Sequence, residues 1–401
     1  MSQRKYYVVI GKNFGDEGKG LATDYLCSNG GKCLGVRYNG GAQSGHTVES
    51  PGKRFVFHEL SSGSMQGADT LWAHTYHPDL YKLDEEYEAF HALTGLKPKV
   101  HVHEAAGFTT IYDVLINMAL ETKRGKNRHG SCGMGIYESN LREQSGFKLT
   151  ISDIAGVGTL LAKLRHIQED YVLSRLDNLG LKLSEMGEYG ELITNPTVCE
   201  NYAEAVCRNA ELVTPLYGDN SRDIIASYES LWNSYDRVVF EGGQGLLLDE
   251  DCERFMPNVS ASKTGLTNVE LILGKTEDII EVFYVTRSYV TRHGAGFLPC
   301  ECDKALIGNI KDDVTNVTNE WQGNIRYGYH ESIDEFIRPV HEDLESVSLK
   351  VAPNILLTHL NETDGKIAGI GDASFVTRSV PCHWGIYTSS SPYSYEIQRV
   401  K

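Results

Sequence analysis

A glycine-rich segment near the amino terminus places the strongest constraint on the fold of this chain. It lies at residues 11–20, between a strand-like apolar run at 6–10 and an amphipathic helical pattern that begins near Leu21 and continues through Leu26. A strand, a glycine-rich loop and a helix in this order are typical of the start of an α/β domain with a parallel sheet. Because glycine lets backbone N–H groups approach an anion closely, the segment also predicts a phosphate site.

The rest of the chain continues this alternation. Further strands are predicted at 36–38, 99–102, 237–240, 282–285 and 355–358, and helices near 108–122, 200–212, 222–235 and 333–345. We therefore predict an α/β fold with a mainly parallel central sheet flanked by helices. Residues 175–200 are polar and weakly periodic, so we predict a single domain over 1–401 with irregular insertions, a candidate insertion lying around 175–200.

The composition disfavours several classes of protein. A net charge of −16 disfavours nucleic acid as a partner, because affinity for a phosphate backbone comes mostly from Lys and Arg. No window approaches the roughly 18 uninterrupted apolar residues of a membrane helix, and residues 1–13 lack the apolar core of a signal peptide. We expect a cytoplasmic protein with small-molecule partners and no membrane association.

The cysteines do not form the pattern of a disulfide scaffold. There are nine of them, an odd number scattered along a long chain. The nearest pair, Cys300 and Cys302, has no second pair at zinc-binding spacing. We expect ordinary reduced thiols.

The chemistry of the first loop lies in the sequence GDEGKG at 15–20. Lys19 would supply a positive charge to a phosphate. The loop differs from a Walker A loop, because Asn13 stands where that motif has glycine and Gly20 where it has Ser or Thr. Asp16 would repel a phosphate unless it binds Mg²⁺ or acts as a base. A plain turn with solvent-facing charges is the simpler alternative, which the position between strand and helix disfavours.

Two further glycine-rich loops each follow a predicted strand. The loop at 38–47 ends near His46, and histidine is the side chain best suited to acid–base chemistry near neutral pH. The loop at 240–245 contains Gln244, whose amide both donates and accepts hydrogen bonds. A lone histidine is more often structural, and a glycine-rich loop is often only a turn. His46 is favoured because its loop follows the next strand and would lie beside the first.

These loops and three other segments together resemble the adenylosuccinate synthetase family. In family order the segments are GDEGKG at 15–20, NGGAQSGHT at 39–47, HELSSG at 58–63, GSCGMGI at 130–136, FEGGQGLLLD at 240–249 and TRHGAGFLP at 291–299. The resemblance implies a ligase of purine nucleotide biosynthesis that joins L-aspartate to C6 of a 6-oxopurine nucleotide, IMP. The reaction would pass through a 6-phosphoryl intermediate and be driven by a nucleoside triphosphate. Mg²⁺ dependence and a homodimer are also implied.

The resemblance assigns roles to individual residues. Asp16 matches the general base and Mg²⁺ ligand, His46 matches the acid at O6, and Lys19 matches the cation that neutralises the transferred phosphate. Gly45 matches the residue whose carbonyl reaches the metal, and Arg326 is the remaining cation of the aspartate-binding loop. Positions expected to bind the triphosphate are Asn13, Gly15, Gly18, Gly20, Gly45, Thr47 and Asn361, and those expected to bind the purine substrate are Gln43, Ser131, Cys132, Gln244 and Ser260.

Several positions depart from the family pattern. The usual GTTGRGIG loop reads GSCGMGI here, with Cys132 for Thr and Met134 for Arg, and the arginine-rich aspartate loop is reduced to residues 322–328. Asn361 stands where guanine-specific members carry Asp, whose carboxylate accepts hydrogen bonds from guanine N1–H and N2–H₂. We therefore predict ATP or dATP as the donor, with GTP not preferred. A register shift that gives this role to Asp364 is the alternative.

Three alternatives to the IMP-dependent ligase stay open. A phage branch of the family uses dGMP and makes a precursor of 2-aminoadenine, often with a smaller residue in place of the base Asp. Because Asp16 is retained, IMP is the first expectation and dGMP the second. A P-loop phosphatase or kinase-like NTPase is disfavoured by the missing Walker A residues. A non-catalytic nucleotide-binding paralogue would not need Asp16, Lys19 and His46 together.

Overall fold

The computed structural model describes residues 5–125, 128, 131–217, 224–312 and 323–401, and its main feature is a ten-stranded sheet. In chain order the strands of the protein are β1 (Lys5–Gly11), β2 (Cys33–Arg37), β3 (His46–Ser50), β4 (Lys53–Phe57), β5 (Asp69–Trp72), β6 (Val100–His103), β7 (Val213–Leu216), β8 (Arg237–Gly245), β9 (Ile280–Arg287), β10 (Val290–His293), β11 (Glu301–Cys302), β12 (Ile325–Gly328), β13 (Val351–Thr358), β14 (Lys366–Ile367), β15 (Gly371–Asp372), β16 (Gly385–Thr388) and β17 (Gln398–Arg399).

The order of strands in the large sheet is β17-β16-β13-β9-β1-β8-β2-β5-β6-β7. Each neighbouring pair is parallel except β16 with β17. The predicted mainly parallel α/β sheet is thus confirmed, and the six predicted strands overlap β1, β2, β6, β8, β9 and β13. The central strand β1 lies between β8 and β9, so the loop after β1 emerges in the middle of the sheet edge.

The helices cover both faces of this sheet. In chain order they are α1 (Lys19–Cys27), α2 (Leu83–Thr94), α3 (Ile111–Arg124), α4 (Ile136–Gln144), α5 (Val157–His166), α6 (Leu173–Asn178), α7 (Glu188–Thr194), α8 (Pro196–Asn209), α9 (Ile224–Trp232), α10 (Thr267–Leu273), α11 (Ile333–Glu345) and α12 (Ala373–Ser379). The predicted helices correspond to α3, α8, α9 and α11. Residues 222–223 of one prediction lie outside the described ranges.

The apolar runs of the central strands explain why the sheet is buried on both faces. Tyr6, Val8 and Ile10 of β1 join the core beneath α9, α10 and α11. Tyr7 and Val9, which alternate with them, join the core beneath α1. A strand that is covered on both faces has to be apolar over its buried length, and β1 satisfies this requirement from Tyr6 to Ile10 and β8 from Val238 to Phe240.

The candidate insertion around 175–200 is helical and packed. It contains the last part of α6, all of α7 and the beginning of α8. Leu176, Met186 and Ile193 belong to the same buried cluster as Val102 of β6. The segment therefore rests on a core that reaches the central sheet, and the single-domain division remains a prediction.

Three observations concern the membrane, thiol and metal predictions. Over the described ranges, no helix is both long and apolar enough to cross a membrane. All nine cysteines are free thiols. Within the same ranges, no group of three or more His, Cys, Asp or Glu side chains is arranged to hold a metal by itself.

Candidate active site

A cavity of about 580 Å³ opens at the carboxyl ends of the central strands. Its walls come from the loops that follow β1, β2, β8 and β13 and from the last residue of β9. Ligands of open parallel sheets bind at this edge, because loops from several strands converge there. The volume is in the range of small-molecule sites.

The loop after β1 turns through backbone conformations that usually require glycine. Gly15, Asp16 and Gly18 have φ angles of 96°, 56° and 97°. The carboxylate of Glu17 holds the turn, since it accepts hydrogen bonds from the backbone N–H groups of Asn13 at 2.9 Å and Gly15 at 3.3 Å. Two N–H groups expected to face a phosphate are therefore bound to Glu17, whereas Asp16 lines the cavity.

Lys19 is the first residue of α1 and lines the cavity. Its ammonium therefore stands where the helix N-terminus already favours an anion. The side chain is buried, and burial lowers the pKa of Lys19, although Glu17 and Asp16 oppose that shift.

The glycine that follows Lys19 has a packing role. A side-chain carbon at Gly20 would lie 2.7 Å from the backbone oxygen of Thr47, so only glycine lets α1 lie directly against β3. This contact gives a structural reason for glycine at the position where a Walker A loop has Ser or Thr.

His46 begins β3 and is held from behind by a buried carboxylate. Its Nδ1 lies 2.6 Å from Oε1 of Glu241, and Arg37 lies 3.6 Å from the same oxygen. Ser61 and the backbone N–H of Ser62 also donate to this carboxylate, at 2.8 and 3.0 Å. Burial lowers the pKa of His46 to about 4 despite Glu241. Burial alone would raise the pKa of Glu241, but His46, Arg37 and Ser62 lower it to about 2.

This arrangement fixes which nitrogen of His46 is offered to a ligand. Nη1 of Arg37 also lies 3.0 Å from Nδ1. At neutral pH the ring is neutral and Glu241 is ionised, and the shorter contact of 2.6 Å to the carboxylate, which can only accept, places the ring proton on Nδ1. The other nitrogen, Nε2, is buried and has no hydrogen-bond partner among the described residues. Because His46 lines the cavity, Nε2 is available to a ligand atom.

Two glutamine amides form another part of the wall. Both Gln43 and Gln244 line the cavity, and the Oε1 atom of each is buried without a hydrogen-bond partner in the described part of the chain. Gly40 has φ 67°, and a carbon added there would lie 2.7 Å from the amide of Gln244 and 2.8 Å from that of Gln43. Gly40 therefore makes room for both amides, and their unmatched oxygens indicate a polar ligand.

The segment after β13 and the end of β9 form a further wall. Thr358, His359, Asn361, Glu362 and Arg287 line the cavity there. Asn361 is thus in place to contact a nucleotide, whereas Asp364, the alternative base reader, is exposed and is not among the lining residues.

Most of the predicted site residues meet in this one cavity. Those that line it are Gly15, Asp16, Gly18, Lys19, Gly20, Gln43, Gly45, His46, Thr47, Cys132, Gln244 and Asn361. Burial raises the pKa of the Cys132 thiol to about 11, so that part of the wall is uncharged at neutral pH. Gly130 and Gln322, which belong to two of the resembling loops, lie outside the described residues.

Four predicted residues are not among those lining the cavity. Asn13 is buried beneath the first loop, where its amide donates to Glu17 and Thr286 at 2.7 and 2.9 Å. Ser131 donates to Asn117 at 2.9 Å. The remaining two are Ser260 and Arg326, and the guanidinium of Arg326 binds Glu301 at 2.7 Å and the carbonyls of Gly294 and Gly296 at 3.1 and 2.7 Å.

The sequence analysis missed several charged residues of the site, which are Glu241 behind His46 and, in the cavity wall, Glu49, Arg54, Arg287, Lys311, Asp312 and Glu362. Glu241 and Arg287 end apolar strand runs, and Glu362 follows the predicted base reader. A charged residue at the carboxyl end of a buried strand is a signal that sequence inspection could have used, because that edge of a parallel sheet is where ligands bind.

Comparison with known proteins identifies the fold and the family. The family model for adenylosuccinate synthetase matches residues 8–330. The adenylosuccinate synthetase of Picrophilus torridus is 30% identical over 321 residues, which cover 78% of this chain and 68% of the relative. The chain belongs to the adenylosuccinate synthetase family. It is therefore an NTP-dependent carbon–nitrogen ligase by family.

One further relative and two solved structures extend the comparison. The enzyme of Microcystis aeruginosa is 31% identical over 307 residues, which cover 74% of this chain but 62% of that relative. The fully ligated Plasmodium falciparum adenylosuccinate synthetase has the same fold, with a TM-score of 0.71 and 17% identity over 99% of this chain and 100% of the other. The succinoaminodeoxyadenylate synthetase of cyanophage S-2L gives a TM-score of 0.62 and 15% identity over 99% and 96%.

Proposed function

We propose that the protein joins L-aspartate to C6 of IMP through a 6-phosphoryl intermediate, at the expense of a nucleoside triphosphate. The observation that carries this proposal is the convergence of Asp16, Lys19 and His46 on one cavity. These residues come from two separate loops. Nε2 of His46 has no hydrogen-bond partner among the described residues, and the other ring nitrogen contacts the buried carboxylate of Glu241. A protein that only binds a nucleotide has no need of a base, an acid and a cation in one place.

The first half of the reaction makes the 6-oxo group a leaving group. Asp16 takes the proton from N1 of the purine, and the electron pair moves to O6. O6 then attacks the γ-phosphorus, a new O–P bond forms, and the bond between the γ-phosphorus and the bridging oxygen breaks to release the diphosphate. Lys19 neutralises charge on the transferred phosphoryl group, which is the main contribution a protein makes to such a transfer.

His46 acts at O6. Negative charge that develops on O6 lies beside Nε2 and raises the pKa of the imidazole, while Glu241 stabilises the protonated ring from the other side. Once Nε2 has taken up a proton from solvent, the ring donates a hydrogen bond to O6. Because Glu241 holds Nδ1, the ring keeps one orientation in both protonation states.

The second half of the reaction forms the carbon–nitrogen bond. The amine of aspartate attacks C6, the C6–O bond breaks and phosphate leaves, while the amine proton passes to solvent. We propose Arg326 for the aspartate carboxylate, because it is a partly exposed cation on β12, the middle strand of the small sheet that also contains β10 and β11. Ser131 and Ser260 are proposed as contacts of the purine substrate and Asn13 as a contact of the triphosphate, each of which requires movement from the positions described above.

The residues present also suit Mg²⁺. Asp16 offers a carboxylate and Gly45 a backbone carbonyl in the same cavity, and Mg²⁺ in phosphoryl-transfer sites takes one or two protein oxygens together with phosphate oxygens and water. When bound, the ion would supply positive charge to the phosphates. A homodimer is proposed for the assembled protein, in keeping with the family.

The same chemistry on dGMP is the second candidate. The cyanophage enzyme of similar fold was solved with dGMP and with dATP as energy donor. In this chain the substitutions Cys132 and Met134 and the donor-side Asn361 lie in the recognition loops, whereas Asp16, Lys19 and His46 are retained. The product would be the N6-succino derivative of 2-amino-deoxyadenylate.

A product assay by mass spectrometry tests both candidates. IMP, GMP and dGMP are each combined with aspartate and either ATP or GTP, and the His46→Ala variant serves as the control. We expect a succino-nucleotide from IMP with ATP. A product from dGMP and not from IMP would select the second candidate. Phosphate release without a succino-nucleotide from any acceptor would contradict ligase activity.

A further inference from the structure

The order of the strands places one buried cation between the two parts of the nucleotide site. β9 lies between β1 and β13 in the sheet, and Arg287, its last residue, pairs with Thr358 of β13. On the other side Val285 pairs with Gly11, which begins the phosphate loop. A triphosphate whose base lies beside Asn361 and whose phosphates reach residues 15–20 has to cross the end of β9.

The guanidinium of Arg287 is held in a fixed orientation. Its Nε donates to the backbone oxygen of Asp16, and its Nη1 donates to the hydroxyl of Tyr289 at 3.0 Å. Tyr289 in turn donates to Oε2 of Glu362 at 2.5 Å. Arg287, Tyr289 and Glu362 are all buried. The series of contacts therefore links the segment that follows β13 to the catalytic loop that follows β1.

Three other hydrogen bonds join Ser288, the residue after β9, to the segment that follows β13. The backbone N–H of Ser288 donates to the oxygen of Thr358 at 2.9 Å, and the hydroxyl of Ser288 donates to the oxygen of His359 at 2.9 Å. Thr363 donates to the hydroxyl of Ser288, also at 2.9 Å. Arg287 and the segment beside Asn361 therefore form one rigid wall.

We propose that Arg287 binds the phosphates of the donor nucleotide and that Tyr289 and Glu362 are positioning residues for its guanidinium. This inference rests on the proposed function for the presence of a triphosphate in the cavity. A planar guanidinium suits phosphate oxygens, and fixing its orientation before binding lowers the entropy lost when the ligand arrives. Since the diphosphate product keeps its α- and β-phosphates, Arg287 binds substrate and product alike.

The first experiment measures the affinity for ADP and GDP by calorimetric titration. Arg287→Gln should bind the diphosphate that the parent binds about 10- to 100-fold more weakly, the scale of one lost charged hydrogen bond. Arg287→Lys should recover part of the loss, because it keeps the charge but not the planar donors. In turnover, the KM for the triphosphate should rise while kcat and the KM for the purine substrate change little.

The second experiment separates positioning from general stability. Tyr289→Phe and Glu362→Gln should each weaken diphosphate binding about 3- to 10-fold, a part of the effect of Arg287→Gln. Tyr284→Phe is the matched control, since Tyr284 is a buried tyrosine of β9 that donates to Asp343 at 2.8 Å. It is not among the lining residues, and its diphosphate affinity should equal that of the parent. An equal loss in the Tyr284 and Tyr289 variants would overturn the positioning role.

The outcomes distinguish this inference from the proposed function. If Arg287→Gln binds ADP and GDP as the parent does, the inference is wrong even when the parent forms a succino-nucleotide. If the parent forms no product with any acceptor but Arg287→Gln loses diphosphate affinity, the ligase proposal fails and the inference stands. A parent that binds neither diphosphate contradicts both.

Discussion

The phosphate loop at 11–20 and the segment at 358–362 line the same cavity but are held in different ways. In the phosphate loop, Lys12, Glu17 and Lys19 are buried. Burial lowers the pKa of Lys12 and raises that of Glu17, and each charge opposes the shift of the other. In the second segment Asn361 is exposed at the mouth of the cavity, and the neighbouring Glu362 is buried.

The difference indicates which half of the site can change. Lys12 donates to Asn13 at 2.8 Å and lies 4.1 Å from the ring centre of Phe336, so the charges beneath the loop are part of the core. Replacing one of them leaves the others buried and uncompensated. Asn361 can be exchanged at far smaller cost in stability. We therefore expect the buried charges beneath the phosphate loop to tolerate substitution less well than Asn361.

The largest expected effect is on catalysis by the first half of the site. Asp16→Ala and His46→Ala should each lower turnover by about 10²-fold or more while substrate binding survives, as expected for general acid–base groups. Steady-state kinetics at saturating substrates would measure this. Asp364→Ala, at an exposed acid away from the cavity lining, is the control. A variant of either kind with near-normal turnover would remove that residue from the mechanism.

Lys19→Gln should show whether Lys19 stabilises the transition state of phosphoryl transfer or only binds the triphosphate in the ground state. Because Lys19 neutralises charge that develops during transfer, we expect turnover to fall by about 10- to 100-fold, more than the affinity for the triphosphate. Arg287→Gln should show the opposite pattern, with affinity lost and turnover kept. If Lys19→Gln weakens only triphosphate affinity, Lys19 belongs to ground-state binding.

Asn361→Asp sharpens the comparison on the other side of the cavity. An Asn amide accepts from the adenine amine and donates to N1, whereas Asp accepts from two donors of guanine. We expect the parent to prefer ATP or dATP and the variant to move towards GTP by about tenfold or more in kcat/KM. Asp364→Asn should leave the ratio unchanged. A parent that strongly prefers GTP would show that Asn361 does not select adenine.

The smallest expected effect is the contribution of the His46–Glu241 pair to the pH dependence of the protein's stability. The pKa of His46 is about 4 in the folded protein against an ordinary value of 6.5. Between these values the unfolded chain binds a proton that the folded chain does not, so this residue makes stability fall as pH falls from 6.5 towards 4. Urea unfolding measures the free energy of unfolding of the parent and of His46→Asn at pH 7 and at pH 5. Between these pH values the parent should lose on the order of 2 kcal/mol more than the variant. Equal losses would place the titration elsewhere.

The sequence predicted the fold well because the signals were local. The apolar run at 6–10 and the glycines that follow it determine a strand and a turn wherever the rest of the chain lies. The helix at 333–345 was predicted with the bounds that α11 has in the structure. The order of strands in the sheet is not a local property, and no residue in β9 indicates that it lies between β1 and β13.

The site, like the fold, could be predicted only where the signal lies in a short stretch of sequence. Asp16 and His46, which both line the cavity, could be singled out because their loops carry recognisable sequences. Glu241 and Arg287 were missed because each acts through contacts with residues almost 200 or more positions away. Asn13 was expected at a phosphate and instead lies under the loop, since Glu17 folds back to take its N–H group. The position of a residue in a loop sequence does not determine the direction in which its backbone N–H group points.

The contact between Gly20 and Thr47 has a consequence for how such enzymes evolve. The helix that carries the cation and the hairpin that carries the acid touch where a carbon at position 20 would lie 2.7 Å from a backbone oxygen. Neither element can move towards the other without a clash, so we expect the positions of the two elements to change together during evolution. Gly20→Ala should therefore be accepted only in a lineage whose hairpin backbone has already moved outward.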